Sequence, residues 1–264
     1  IGSGLVGSEM CIRDRYYKGE HLNDIWGLTT IGIAKSQEEM DAHLAKVDQS
    51  SVGTNWGVGD IMYADLDGDG KISNGTNKLG DTGDYRIIGN STPRFKYGIT
   101  LDAAWKGFDF SIFMQGIGKR DLWLDGCYFW GANGQGNEWQ STGFAEHWDF
   151  FRPEGDPLGA NLNSYYPRVN FSGDRNTKVQ TRYLQNGAYL RLKNVQLGYT
   201  LPRVWTEKAG ISSVRVYVSG DNLATITSLS KIFDPEATGS LAGTGSGKLY
   251  PLQRVISVGV NVNF

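Results

Sequence analysis

The sequence predicts an all-β chain of antiparallel, up-and-down strands, of the kind that forms outer-membrane β-barrels, with long loops on one side. Three observations predict this. Five segments, 95–105, 108–116, 189–201, 214–218 and 254–264, alternate apolar and polar residues with period two. Glycine (36 of 264 residues) is at about twice its usual share and aromatics reach 12%, a pairing that suits strands, turns and aromatic girdles better than helices. Connections between these segments also sort by length, short at one end and long at the other, as in outer-membrane barrels. Net charge is -2, which gives no argument for nucleic-acid binding or a polybasic membrane patch. Mean hydropathy is -0.37, and no apolar run approaches the roughly 18 residues of a membrane helix. Strands that alternate average to a hydrophilic score, so this leaves a barrel open. The two cysteines, Cys11 and Cys127, have no framework or metal spacing.

Residues 1–15 (IGSGLVGSEMCIRDR) have neither the basic start nor the apolar core of a signal peptide. LVGSEMCIRDR resembles a translated sequencing adapter, so a non-native amino terminus is expected, with the natural reading frame extending upstream of Tyr16. Residues 16–94 are expected to hold a barrel strand, an extracellular helix and an acidic loop, and 95–264 the remaining strands with two long extracellular loops. Residues 26–34 form a weak strand pattern. Ser36, with Glu39 three residues on and Met40, Leu44 and Val47 at helical spacing, predicts a short capped helix. In 95–105, Phe95, Tyr97, Ile99, Leu101, Ala103 and Trp105 share one face. Lys106-Gly107 is a tight turn into 108–116. Residues 117–187 show little periodicity and read as an outer loop. Pro202 ends the strand 189–201, and 204–209 is a helical turn closed by Gly210. A second long loop, 224–248, leads to the last strand. There Ile256, Val258, Val260, Val262 and Phe264 form one apolar face. Strand parity puts 65–83, 117–187 and 224–248 at one end, and 106–107 with 202–210 at the other.

Asp65, Asp67 and Asp69 in DLDGDGKIS (65–73) match the first positions of a calcium loop. Gly70 permits the sharp turn, and the Lys71 carbonyl and a Ser73 oxygen would close the ring. Thr76 stands where an EF-hand has its bidentate Glu, so Asp81 or Asp84 would have to help. The competing reading is an Asx-rich turn without a metal. Trp123, Tyr128 and Trp130, beside Phe129, Asp125 and Asn133, could stack on sugar rings, or could pack the loop against itself. GTGSGK (243–248) lacks the residues of a phosphate loop, and GANGQG (131–136) has no strand leading into it. His21, His43 and His147 lack zinc spacing. No catalytic arrangement is visible, and an enzyme is not expected.

Several blocks in order then carry a resemblance: GDIMYADLDGDGKIS (59–73), DYRIIGNSTPRFKYGI (84–99), WKGFDFSIFMQG (105–116), YLRLKNVQLGYTLP (189–202), VYVSGDNLATIT (216–227), FDPE (233–236) and the terminal strand. From about residue 59 onward, the chain resembles the carboxy-terminal part of the SusC/RagA family of TonB-dependent outer-membrane transporters of Bacteroidetes, whose plugged barrels have about 22 strands. The resemblance implies import of oligosaccharides or similar polymer fragments across the outer membrane. It implies a SusD-like surface lipoprotein as partner, and energy from a TonB complex engaged by a region not present here. With room for about six or seven strands and no plug, the chain is expected to form a curved open sheet whose last strand is paired on one side. The alternatives are a small closed barrel with a structural or adhesive role, and a soluble carbohydrate-binding sandwich.

Overall fold

The computed structural model describes residues 21–76, 80–136, 143–238 and 250–264. The adapter-like segment 1–15, Cys11, Tyr16 and the glycine-rich 243–248 lie outside the described residues. In chain order the elements are β1 (Asp24–Gly27), β2 (Thr30–Ile33), α1 (Gln37–Leu44), β3 (Ile61–Tyr63), β4 (Arg86–Asn90), β5 (Arg94–Trp105), β6 (Phe108–Lys119), β7 (Asp121–Leu122), α2 (Cys127–Trp130), β8 (Gln185–Asn186), β9 (Tyr189–Thr200), α3 (Arg203–Thr206), β10 (Ser213–Thr227) and β11 (Val255–Asn263).

Five strands form one antiparallel sheet in the order β11-β10-β9-β6-β5, fewer than the six or seven expected. The segment 26–34 accounts for part of the difference. It divides into β1, which pairs with β4, and β2, which pairs with β3, and neither joins the large sheet. Among the described residues the sheet does not close: β11 pairs with β10, and β5 with β6, each on one edge only. The short connections lie at one end, where Trp105 faces Phe108 and Ser213 faces Asn263, and the long ones leave from the other, as strand parity predicts. At the first turn Lys106 and Gly107 both have positive φ (46° and 89°), the backbone of a two-residue hairpin whose twist matches its strands. At the second, α3 continues as a 3₁₀ turn to Ala209 and ends at Gly210, φ 70°.

The face carrying Ile99, Leu101, Leu197, Val216, Val218 and the even positions of β11 is exposed; Val258 is 73% exposed and Phe264 90%. Trp105, Phe108, Tyr199 and Phe264 crowd the turn end, with the Phe108 and Tyr199 rings 4.5 Å apart. An aromatic band bordering a bare apolar face matches the lipid side of a barrel wall. The opposite face is polar and is tied together side by side. Arg215 of β10 reaches across β9 to Asp109 of β6, with Nε donating at 2.9 Å, and it passes over Gly198, where a Cβ would sit 2.5 Å from both partners. Tyr217 likewise lies over Gly259 of β11.

The buried core sits in the outer connections. Leu28, Ile33, Ile61, Tyr63 and Ile72 from the first part pack with Leu122, Leu124, Phe129, Trp130, Phe151, Tyr166 and Tyr183 from 117–187, and with Leu229 and Phe233 from the last connection. The described part of 117–187, read as an outer loop from its lack of period, is therefore a packed layer. Past the end of β6 its regular elements are β7, β8, the single turn α2, a 3₁₀ turn at 145–148 and single bridges, all too short to leave a period in the sequence. Upstream, α1 forms as its cap predicts: the Ser36 hydroxyl accepts from the Glu39 amide at 3.2 Å. The reciprocal bond is displaced by one residue, Glu39 accepting from the Lys35 amide at 2.6 Å.

Asp60 holds this layer together. It is fully buried, and its carboxylate accepts from Arg168 Nε (2.8 Å) and Nη2 (2.6 Å), Arg175 Nε (3.2 Å), Asn176 Nδ2 (2.8 Å) and the Gly57 amide (3.0 Å). Removing it as Asp60→Ala should cost about 3–5 kcal/mol, because the Arg175 charge stays buried without a partner. Chemical denaturation would show this, and a wild-type midpoint would refute the assignment. Val258→Arg, near the middle of β11, should cost about 2–4 kcal/mol for the chain folded in lipid vesicles, whereas Asn261→Lys on the polar face should cost little. Equal costs in urea titration would mean that the apolar face does not meet lipid.

Candidate functional site

The acidic loop is built by its own backbone. Asp65 accepts from the amides of Gly68 (2.6 Å) and Gly70 (2.8 Å), Asp67 from Asp69 (3.1 Å), and Asp69 from Lys71 (3.0 Å), while Gly68 and Gly70 both take φ of 80°. Asp84, fully buried, reaches back and accepts from the amides of Leu66 (2.6 Å) and Ser73 (2.8 Å). The ligand oxygens of Asp65, Asp67 and Asp84 then lie within 4.8 Å of one another. Oxygens bound at 2.3–2.6 Å to one Ca²⁺ sit at most roughly 5 Å apart, so these three carboxylates fit a hard cation. Asp69 stands outside that group; Lys71 Nζ lies 3.6 Å from its carboxylate. The Ser73 hydroxyl accepts from the Gly75 amide (3.0 Å), and Asp81 turns away to Thr76.

Electrostatics follow this geometry. The Gly70 amide holds the Asp65 carboxyl below the usual carboxylate range, against the opposing effect of burial. For Asp67 the Asp69 amide pulls downward, but burial and the charges of Asp84, Asp69 and Asp65 outweigh it and push its pKa up. Crowded negative charge of this kind is what a bound cation relieves.

The aromatic residues of the first outer connection pack inward. Trp130 is 2% exposed, donates Nε1 to the Leu124 carbonyl (3.2 Å), and meets Tyr183 at 4.7 Å between ring centroids, which leaves it no open face for a sugar. Trp123 and Tyr128 are half-buried against the same core, Trp123 at 5.9 Å from Trp130 and Tyr128 at 5.7 Å from Phe144. Burial raises the Tyr63, Tyr166 and Tyr183 hydroxyls above the ordinary phenol value, so they remain neutral; the Tyr63 and Tyr183 hydroxyls donate to carbonyls of Arg175 (2.6 Å) and Tyr165 (2.8 Å). Trp148 of the first connection is open to solvent, with the Arg152 guanidinium over its ring at 5.6 Å.

The three histidines serve separate contacts: His21 near Asp24, His43 with Gln49 (3.0 Å), and His147 with the carbonyls of Tyr128 and Phe129 (both 3.1 Å). Residues 131–136 follow α2 and are held to the backbone at Asn170 and Phe171, as a loop. Cys127 is half-buried and free. Asp60 and its partners were not singled out by the sequence. The one signal is its place in the GDIMY block, because Arg168, Arg175 and Asn176 lie more than a hundred residues downstream.

No family model matches the chain. It is 33% identical over 216 residues to TonB-dependent receptor P3 of Formosa agariphila, covering 78% of this chain and 19% of the relative. It is 30% identical over 260 residues to TonB-dependent receptor P26 of the same organism, covering 95% of this chain and 23% of the relative. The chain therefore spans about a fifth of the length of these curated relatives. Among solved structures, its fold is similar to that of the RagAB peptide importer in the open-open state (22% identity, TM-score 0.60, 91% of this chain and 22% of that one). It is likewise similar to the closed-closed state (23% identity, TM-score 0.59, 91% and 23%). With identity at this level across most of its length, the chain matches a stretch of the TonB-dependent receptors, and its antiparallel sheet shares the fold of the RagAB importer.

Proposed function

We propose that this chain is the carboxy-terminal wall and outer-loop portion of an outer-membrane receptor that imports oligosaccharides or similar polymer fragments. It works with a SusD-like surface lipoprotein outside and a TonB complex that supplies energy through another part of the receptor. The observation that carries this reading is the exposed apolar face of a sheet whose short turns sit at one end and whose folded connections sit at the other. Its relatives are receptors rather than enzymes. In this reading the wall strands enclose a polar passage, and the layer centred on Asp60 shapes its outer mouth. Peptide cargo is a second reading, favoured by the peptide importer whose fold the chain shares. Deleting the gene should abolish growth on one class of glycan fragment as sole carbon source, and a SusD-like lipoprotein should co-purify with the receptor. Lost growth on oligopeptides alone would move the cargo to the second reading, and unchanged growth on both would refute import.

The acidic loop is proposed to hold a structural Ca²⁺ through Asp65, Asp67 and Asp84, and to pin the outer end of β4. Asp67→Asn should weaken Ca²⁺ binding strongly, because one ligand charge is lost. Binding should also fade as pH falls, with Asp67 protonating before Asp65, because the pKa of Asp67 is raised and that of Asp65 is lowered. Calorimetry on the receptor that shows no Ca²⁺-dependent heat would leave the turn alone.

A further inference from the structure

Two buried ion clusters tie the outer connections of this chain, and they differ in how completely they are satisfied. Around Asp60 both carboxylate oxygens are occupied by five donors. The second cluster joins β9 to the FDPE motif of the last connection. Arg191 Nη2 donates to Asp234 at 2.6 Å, Lys193 Nζ to Glu236 at 2.9 Å, and Arg191 Nε to Thr225 of β10 at 2.8 Å. Arg191 is nearly buried, as are Asp234 and Glu236. Yet Arg191 Nη1 and Glu236 Oε1 make no hydrogen bond, although both are shielded from solvent, and Nη1 lies 3.4 Å from the other Glu236 oxygen. A buried polar atom without a partner penalises the state that buries it. This is therefore the weaker of the two ties.

The segment that carries the acids also reaches the first outer connection. Glu146 accepts from the Ser230 hydroxyl (2.5 Å) and from the Lys231 amide (3.0 Å), and Phe233 packs 6.3 Å from Phe129. Asp234 further accepts from the amides of Glu236 (2.9 Å) and Leu252 (3.0 Å). Burial opposes its charge, but the Arg191 bond and these amides outweigh it and hold its pKa low, so it is charged at neutral pH. Residues 229–236 thus run from the barrel wall to the first connection, with contacts at both ends.

We propose that residues 229–236 are a releasable strap that latches the outer loop layer to the barrel wall, with Arg191 and Lys193 as the fixed half of the latch and Asp234 and Glu236 as the moving half. Because Glu146 holds Ser230 and Lys231, release unpins both outer connections together, while the Asp60 cluster keeps its own segments joined. The FDPE motif then has a physical role: Phe233 seats the strap in the core, and the two acids lock it to the wall.

Hydrogen exchange read by mass spectrometry, on the longest reading frame that contains this chain in lipid nanodiscs, tests the latch. Glu236→Gln keeps the shape and removes the charge. Peptides covering 229–236 and 145–148 should then exchange about tenfold faster or more, and peptides covering 57–60 and 168–176 should not change. Lys193→Met, which empties the same pair from the wall side, should give the same pattern more weakly, and it carries the test if Glu236→Gln does not fold. Unchanged exchange in both variants, or acceleration spread equally over the Asp60 segments, would overturn the proposal.

Discussion

The outer layer of this chain depends on burying one carboxylate. Asp60 has no contact with solvent, and a lone charge there would be prohibitive. Two arginines, an asparagine and a backbone amide converge on it, and in doing so they fix residues 57–60 against 168–176. Around that contact the aromatic residues of 117–187 find their packing: Tyr63 donates to the Arg175 carbonyl, and Tyr183 lies against Phe129, Trp130 and Tyr166. The ion cluster supplies register and the aromatic burial supplies the drive, since apolar area removed from water is the dominant favourable term.

This arrangement follows from what the sheet lacks. A sheet whose apolar face is exposed and whose other face is polar has no interior of its own to bury. Its strands are held by ladder hydrogen bonds and by pairs on the polar face, such as Arg215 with Asp109 across Gly198. Glycine suits the position because a Cβ there would sit 2.5 Å from both partners and force the pair to shift. Packing is therefore displaced to the outer connections, which reach the wall through the charged cluster on β9.

The two acidic assemblies of the outer layer differ for a related reason. Asp65, Asp67 and Asp84 converge without a cationic side chain among them, which leaves room for a metal ion, whereas Asp60 has arginines. Local backbone makes the first: amides of Gly68 and Gly70 position Asp65 within five residues. Distant sequence makes the second.

Much of the sheet was legible from local pattern. Period two located all five long strands but gave only 214–218 of β10 and read 224–227 as loop, where the strand runs on past an irregularity to Thr227. Lys106-Gly107 and the 204–210 turn were marked by residues suited to positive φ or helical turns, and parity then placed the long connections at one end. Ser36 marked α1 through its own hydroxyl. DLDGDGKIS announced its turn, because such loops are stabilised by side chain to backbone bonds over two to five residues. What the sequence determined by itself is therefore whatever depends on neighbours in the chain: strand alternation, caps, tight turns and the acidic loop. Only the tertiary structure decided the rest. It split 26–34 into two strands with different partners, folded 117–187 into a core, turned Trp130 inward, and matched Asp60 to arginines 108 and 115 residues away. Those contacts join short, aperiodic segments, so their energy comes from meeting across the fold, and no local period records them.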